Sequence, residues 1–425
     1  MDIFEKMIKD GGPIGKHVER AHGYFAFPKL EGELGSRMFF RGKEKIVWSL
    51  NNYLGLANHP EARKADTEAA EKWGMGYPMG ARMMSGNSTQ HEQLEKIVAE
   101  FVKREDAMLL NFGYQGIMSC IDSLVNRRDV IVYDAESHAC IVDGVRLHLG
   151  YSYAYKHNNI EDCEKQLQRA EKMAEKNGGG ILVITEGVFG MSGNQGKLKE
   201  ITALKSKYQF RLFIDDAHGF GSMGPTGGGA DEQQGCQDQV DLYFSTFVKS
   251  MGSIGAFIAG PKKIMTYLRY NVRSQIFAKS LPMVIVEGMI KRMEMLKTMP
   301  ELREKLWHNV NKLQNGLREK GFDIGTTNSP VTPVYMKGDV PEATAMVKDL
   351  RENYNIFCSI VVYPVIPKGQ IIYRLIPTAV HSDEDTELTL QAFDETKKKL
   401  DAGEYRAEEI PDMADEGKKA MIGEM

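Results

Sequence analysis

The sequence predicts an α/β protein: a mostly parallel, doubly wound sheet buried on both faces, followed by a smaller α+β domain. Three observations lead there. Short apolar, β-branched runs alternate with amphipathic helical stretches from about residue 56 onward. Each run is followed by Gly, Asp, Ser or His, the residue types that gather where strands end in functional loops. From about Leu281 the character shifts to long helical stretches and then to a few strand-like runs.

The runs are AMLL (107–110), VIVY (130–133), ILVIT (181–185), LFID (212–215) and AFIAG (256–260), with helical segments such as Ile160–Lys176 and Lys199–Tyr208 between them. Continuous apolar runs of this length fit strands covered on both faces by helices. Ahead of them, residues 1–50 combine a charged helix with an alternating stretch around Phe39–Trp48 that reads as a hairpin. Behind them come helices Met283–Lys297 and Glu301–Lys320, strand-like runs Thr332–Met336, Ile356–Val362 and Ile371–Ile376, and a closing helix near Glu384–Leu400. The expected division is an N-terminal segment (1–55), a large domain (56–290), a small C-terminal domain (291–400) and a charged tail (401–425) with a frayed or partner-draped end.

The 425 residues carry a net charge of -4, with 42% hydrophobic and 26% charged residues. That balance offers no basic surface for nucleic acid or anionic lipid. The five cysteines are scattered, odd in number and without a C-x-x-C pair, which reads as free buried thiols in a reducing, cytoplasmic setting and not as disulfides or a metal site. The N-terminus lacks the apolar core of a signal peptide, and no run of about 18 apolar residues predicts a membrane span.

Four segments carry chemistry. FSTFVKSMGSIGAFIAG (244–260) places Lys249 before Gly252 and Gly255, small residues that let a flat ring approach the backbone; taken alone, a lysine here reads rather as a surface residue on a loop. RLFIDDAHGFG (211–221) ends a strand in Asp215-Asp216, and only one of two successive side chains can face a ligand. A carboxylate there suits a pyridinium nitrogen; a strand-end acidic turn or a Mg²⁺ pair is the competing reading. DAESHACIVDG (134–144) offers His138, an imidazole able to lie flat on a ring or to serve as an ordinary loop histidine. NFGYQGIMS (111–119) is a Gly-rich turn opening a helix, a place for phosphate, while Ser245 and Thr246 offer hydroxyls; the turn is not G-x-G-x-x-G, so no dinucleotide site is read.

With these segments in order, the chain resembles the α-oxoamine synthases, fold-type I pyridoxal-phosphate (PLP) enzymes that include 8-amino-7-oxononanoate synthase, glycine acetyltransferase, 5-aminolevulinate synthase and serine palmitoyltransferase. The likeness spans about residues 45–385 through SLNNYLGL (49–56), GMGYPMGARMMSGNSTQHEQLE (74–95), NFGYQG (111–116), ESHACIVDG (136–144), TEGVFGMSG (185–193), DDAHGFG (215–221), TFVKSMGSIG (246–255), SLP (280–282) and RLIPTAVH (374–381). The resemblance implies that Lys249 holds PLP as a Schiff base and later shuttles the α-proton, and that Asp215 pairs with the pyridine nitrogen. It implies that His138 stacks on the ring, that His218 hydrogen-bonds the ring hydroxyl, and that Gly113, Tyr114 and Thr246 serve the phosphate side. Arg374 matches the residue gripping the amino acid's carboxylate, and Asn51 and Glu186 match positions near the substrate. A homodimer with a shared site is likewise implied, and no metal.

The sequence departs from the family pattern at Ala81 and Gly190, where serines are usual, at 226–229, which reads TGGG without the second basic residue, and at Ala278-Lys279, where small hydroxyl residues are usual. Lys279 falls in the segment that in this family reaches the partner's cofactor phosphate, or it meets an anionic substrate group. The implied reaction is a decarboxylative condensation of an L-amino acid, serine or its acidic analogue cysteate, with a long-chain acyl thioester carried by coenzyme A or acyl carrier protein, giving a sphingoid- or sulfonolipid-type base. The alternatives are a synthase of the glycine acetyltransferase or 8-amino-7-oxononanoate type, a PLP aminotransferase or aldolase, and a non-catalytic partner subunit. The last of these usually lacks the Schiff-base lysine.

Overall fold

The computed structural model describes residues 2–10, 15 and 18–414, so the end of the charged tail lies outside the described residues. Fourteen strands occur among them: β1 (Leu30–Glu31), β2 (Arg37–Phe40), β3 (Lys43–Val47), β4 (Asp106–Leu110), β5 (Val130–Asp134), β6 (Tyr151–Tyr155), β7 (Ile181–Glu186), β8 (Arg211–Asp215), β9 (Leu242–Thr246), β10 (Ala256–Gly260), β11 (Thr332–Tyr335), β12 (Ile356–Phe357), β13 (Ser359–Val361) and β14 (Ile372–Leu375). The chain divides into two compact units, Asn51–Glu304 and Met1–Leu50 with Lys305–Met425.

The Asn51–Glu304 unit is built on a seven-stranded sheet of order β4-β10-β9-β8-β7-β5-β6. Only β10 is reversed, antiparallel to β4 and β9; the remaining pairings are parallel. The five apolar runs form β4, β5, β7, β8 and β10. Two further strands have weaker signals, for physical reasons. β6 (YSYAY) is the sheet's edge and mostly exposed, so it carries no apolar run. β9 (LYFST) is wholly buried but rich in hydroxyls, each of which has an acceptor: Tyr243 donates to Asp216 Oδ2 (2.9 Å), Ser245 to the Asp216 carbonyl (3.1 Å) and Thr246 to the Gly255 carbonyl (2.9 Å). Satisfied hydroxyls can be buried at little cost.

Gly252 and Gly255 flank the turn before β10. Both have positive φ, 57° and 112°. A Cβ on Gly252 would lie 2.5 Å from the Ala57 backbone nitrogen, so its missing side chain admits another segment of backbone.

In the other unit, β1-β2-β3-β12 form one sheet, with β3 and β12 parallel, and β11-β14-β13 form an antiparallel second. Residues up to 50 therefore share a sheet with the C-terminal part of the chain. The expected hairpin is β2–β3, turned by Arg41 and Gly42, both at positive φ (49° and 75°), the conformation that matches strand twist in a two-residue loop. The closing helix Asp383–Asp401 starts at a reciprocal capping box of Ser382 and Asp385. All five cysteines are free and buried.

Candidate active site

Parallel strands deliver their C-terminal ends to one rim of the sheet. Glu186 ends β7 and is register-paired with Asp215, which ends β8. Both are buried, 5% and 6% exposed. Burial raises both carboxyls above their ordinary range, and the Lys249 ammonium pulls both back down. Lys249 is half-buried on the loop after β9, where its charge acts on Asp215, Glu186 and His138.

Asp215 and Asp216 point to opposite sides. Asp215 Oδ1 accepts the Ala217 N–H (3.1 Å), while Oδ2 meets the Cys140 thiol at 3.9 Å. Asp216 is wholly buried, and its Oδ2 accepts from Ala230 N–H (2.8 Å) and Tyr243 O–H (2.9 Å). Bare glycines enclose it: a Cβ on Gly187 or Gly219 would come within 2.0 or 2.1 Å of Oδ1. Asp216 is therefore an acid enclosed by the chain, its Oδ1 buried without a hydrogen-bond partner among the described residues; Asp215 Oδ2 has a weak thiol contact and no such glycine wall.

His138 caps the N-terminus of helix Ala139–Leu147. Its Nδ1 accepts the Cys140 N–H (3.3 Å) and lies 2.9 Å from Cys140 Sγ, and its own N–H donates to Glu186 Oε1. A backbone N–H can only donate, so Nδ1 is the acceptor and the ring proton sits on Nε2. Packing about the ring, and then the Lys249 charge, lower its pKa against the opposing pull of Asp215. The imidazole is thus held neutral, with one part of the ring exposed.

Gly113 opens helix Gly113–Leu124 after Phe112, which supplies no side-chain cap, so the first N–H groups keep that end electropositive. A Cβ on Gly113 would lie 3.4 Å from Thr246 Oγ1, so glycine lets this helix start run against the Thr246 hydroxyl. Tyr114 donates to Asp143 and meets the His138 ring at 6.0 Å, nearly edge-on. His218 is buried with Tyr53 Oη 2.7 Å from its Nδ1. Asn51 begins this unit and is half-buried. Arg374 is a residue of the other unit, buried on β14 opposite Pro333 and Ser359. Lys279 is exposed, and its carbonyl accepts from the Asn111 amide.

The sequence reading did not single out Cys140 or Tyr53. Both lie inside quoted motifs, but only the fold brings their side chains to His138 and His218. A cavity of about 650 Å³ elsewhere in this unit is lined by charges that already pair, Arg82 with Glu95 (2.9 Å) and Arg269 with Asp106 (2.7 Å), and none of the strand-end residues lines it.

A lysine, a buried carboxylate with a spare acceptor and a neutral imidazole at the ends of such a sheet define a PLP-dependent enzyme. Residues 43–393 match the family model described as aminotransferase class I and II. The chain is 63% identical over 406 residues to a cysteate-C-fatty acyltransferase of Capnocytophaga ochracea, covering 96% of this chain and 97% of that one. It is 36% identical over 387 residues to an 8-amino-7-oxononanoate synthase of Thermoanaerobacter pseudethanolicus, covering 91% and 96%. Among solved structures, a serine palmitoyltransferase from S. paucimobilis with a bound PLP–myriocin aldimine superposes with a TM-score of 0.88 at 28% identity, over 95% of this chain and all of that one. The chain belongs to the class I and II aminotransferase family and, within it, to the α-oxoamine synthases. It is a PLP-dependent C-acyltransferase.

The residues present fit that cofactor. Asp215 Oδ2 lacks a strong donor and suits a protonated ring nitrogen. The uncapped helix start at Gly113, beside Thr246, suits a phosphate.

Proposed function

We propose that the enzyme condenses L-cysteate with a long-chain fatty acyl thioester, releasing the thiol and CO₂ and giving the 3-oxo base of a sulfonolipid. The observation that carries this reading is the 63% identity, over nearly the whole of both chains, to a cysteate-C-fatty acyltransferase. L-Serine is the second reading, favoured by the superposition on serine palmitoyltransferase.

Bound PLP supplies an electron sink for charge that develops at the amino acid's α-carbon. Lys249 Nζ holds the cofactor and, once the amino acid has displaced it, takes the α-proton. Asp215 Oδ2 keeps the proton on the ring nitrogen. His138, neutral because its Nδ1 serves as a helix cap, covers the ring without adding positive charge to it. Glu186 fixes the His138 backbone by accepting its N–H. Gly113, Tyr114 and Thr246 serve the phosphate side, and His218 donates to the ring hydroxyl. The amino acid's carboxylate is assigned to Arg374, and a neighbouring contact to Asn51, from the RLIPTAVH and SLNNYLGL motifs. In the reaction a carbon–carbon bond forms between the α-carbon and the acyl carbonyl, the thiol departs, and the amino acid's carboxylate leaves as CO₂. The working form is a homodimer sharing its active site, acting in the cytoplasm, where free cysteines stay reduced. No described helix is long and apolar enough to cross a membrane.

Mass spectrometry of the products from cysteate, serine, glycine and alanine, each offered with palmitoyl-CoA and with palmitoyl-acyl carrier protein, tests the reading. A sulfonated 3-oxo amine from cysteate is the expected product. Turnover of glycine alone overturns the reading, and a serine product in excess of the cysteate product replaces it with the second.

A further inference from the structure

Asp134 ends β5 and is wholly buried. Its Oδ1 accepts the Glu136 N–H (2.9 Å) and its carbonyl the Ser137 N–H (3.1 Å), so it closes the turn that delivers His138. The same Oδ1 lies 3.0 Å from His157 Nδ1, and Oδ2 accepts the Asn158 N–H (2.9 Å). Asn158 stands at φ 50°, a left-handed conformation that asparagine tolerates better than most residues. In this bend the His157 side chain and the Asn158 N–H meet one carboxylate.

His157 and Asn158 in turn hold the loop after β7. That loop doubles back on itself: Val188 pairs with Gln195, and the Phe189 N–H donates to the Asn194 carbonyl (2.9 Å). One arm is met at Phe189, whose ring stands edge-on to the His157 imidazole at 4.4 Å. The other is met at Gln195, whose carbonyl accepts from the Asn158 amide (3.0 Å), and beyond it at Lys197, whose N–H donates to the Asn158 side-chain oxygen (3.2 Å). The residue after Phe189 is Gly190, where a Cβ would lie 2.4 Å from His218 Nε2, so the loop is carried up against that imidazole. Burial pushes His157 down, but its bond to Asp134 and the charges of Asp134 and Glu136 outweigh burial and raise it, against Lys197. A carboxylate only accepts, so Nδ1 is the donor of the pair.

We propose that Asp134, acting through His157 and Asn158, is a positioning residue for the active-site rim: one buried carboxylate sets both the turn that ends in His138 and the loop that lies against His218. This rests on the reading that these two histidines face the cofactor ring.

Three substitutions loosen the clamp in different places. His157→Phe keeps a ring against Phe189 and removes the donor to Asp134. Asn158→Ala cuts the tie to Gln195 and Lys197. Asp134→Asn sets an amide donor against a backbone N–H. In the holoenzyme each should change the circular dichroism of the cofactor's visible band, which follows the tilt of the ring. Each should also lower kcat about tenfold, the worth of one hydrogen bond, with a smaller change in KM for the amino acid. In the apo-protein, amide exchange should quicken across residues 187–197 and keep its wild-type rate in β8. A merely structural role would lower the thermal midpoint and leave kcat and the dichroism per bound cofactor as in wild type. That result, or loop exchange unchanged in both His157→Phe and Asn158→Ala, overturns the proposal, and these two variants decide it if Asp134→Asn does not fold. Cofactor dichroism that ignores both His138→Ala and His218→Gln would instead sink the reading beneath it, that those histidines face the ring, while loop exchange in the apo-protein still decides whether the clamp holds the loop.

Discussion

At the strand ends of the seven-stranded sheet, Glu186 and Asp215 are buried acids: Glu186 feels the like charge of Asp215 and then the Lys249 charge, and Asp215 feels Lys249 and the titratable His138. In the other unit Arg351, 1% exposed, is a buried cation with no carboxylate bonded to it among the described residues. Its guanidinium donates to the carbonyls of Tyr24 (2.6 Å) and Cys358 (3.0 Å) and lies 4.1 Å from the Phe357 ring centre and 5.0 Å from that of Tyr24, with Phe25 and Phe40 a little further out. Arginine does not shed its charge on burial, so the surroundings must supply acceptors and π faces. The arginine is enclosed by groups that cannot titrate near neutrality. The acids feel the charge of a half-exposed lysine, and Asp215 Oδ2 has a weak thiol donor. Buried charge is packing in the first case and provision for a ligand in the second.

Removing the lysine should break the contrast most severely. Lys249→Ala is expected to lower turnover by about 10³-fold or more, within the range for loss of a proton-transferring group, and to abolish the cofactor's lysine-linked absorbance. Its thermal midpoint as apo-protein should stay near wild type, and a midpoint that collapsed would make Lys249 structural. Asp215→Asn should cost about 10²-fold in kcat by the same mechanism class, with urea unfolding of the apo-protein unchanged or slightly improved, since burial disfavours the charge it removes.

The cationic centre should respond in the opposite sense. Arg351→Ala is expected to destabilise the unit by about 3 kcal/mol, from lost packing and two stranded carbonyls, with far less loss for the volume-matched Arg351→Met, read by urea denaturation. A loss of cofactor binding without a loss of stability would contradict its assignment to packing.

The last prediction concerns the second acid and is read from a pH profile. Burial, then the charge of Asp231, pushes Asp216 up to about 7. An acid whose folded pKa is raised contributes stability that is complete below its unfolded value, about 4, and is lost as pH rises through the folded pKa near 7. Apo-protein stability should therefore fall between about pH 4 and 7 from this group, and Asp216→Asn should flatten that part of the profile. An unchanged slope would mean that Asp216 does not carry it.

The apolar strands and the order of the nine motifs were legible because a strand covered on both faces must be continuously apolar, and because the motifs are contiguous in the chain. β6 was not legible, since an exposed edge needs no apolar residues, and β9 was faint because its hydroxyls look polar until their acceptors are known. The need for glycine at 252 was legible only in part, since the Ala57 backbone that it admits comes from a distant segment. Gly190 was visible as a departure, but its contact with His218 was not, because the two meet only across the rim of the sheet.

What the sequence by itself determined is the local chemistry: where the apolar strands form, which residue types stand at their ends and, through the resemblance of its ordered motifs to the α-oxoamine synthases, the cofactor class. Those follow from periodicity and from motifs read within short windows. Tertiary structure alone decided that bare glycines and Tyr243 enclose Asp216, that Glu186 takes the His138 N–H, and that Tyr53 meets His218. Each of these depends on distances between segments far apart in the chain, and a protonation state is set by the neighbours that folding brings to it.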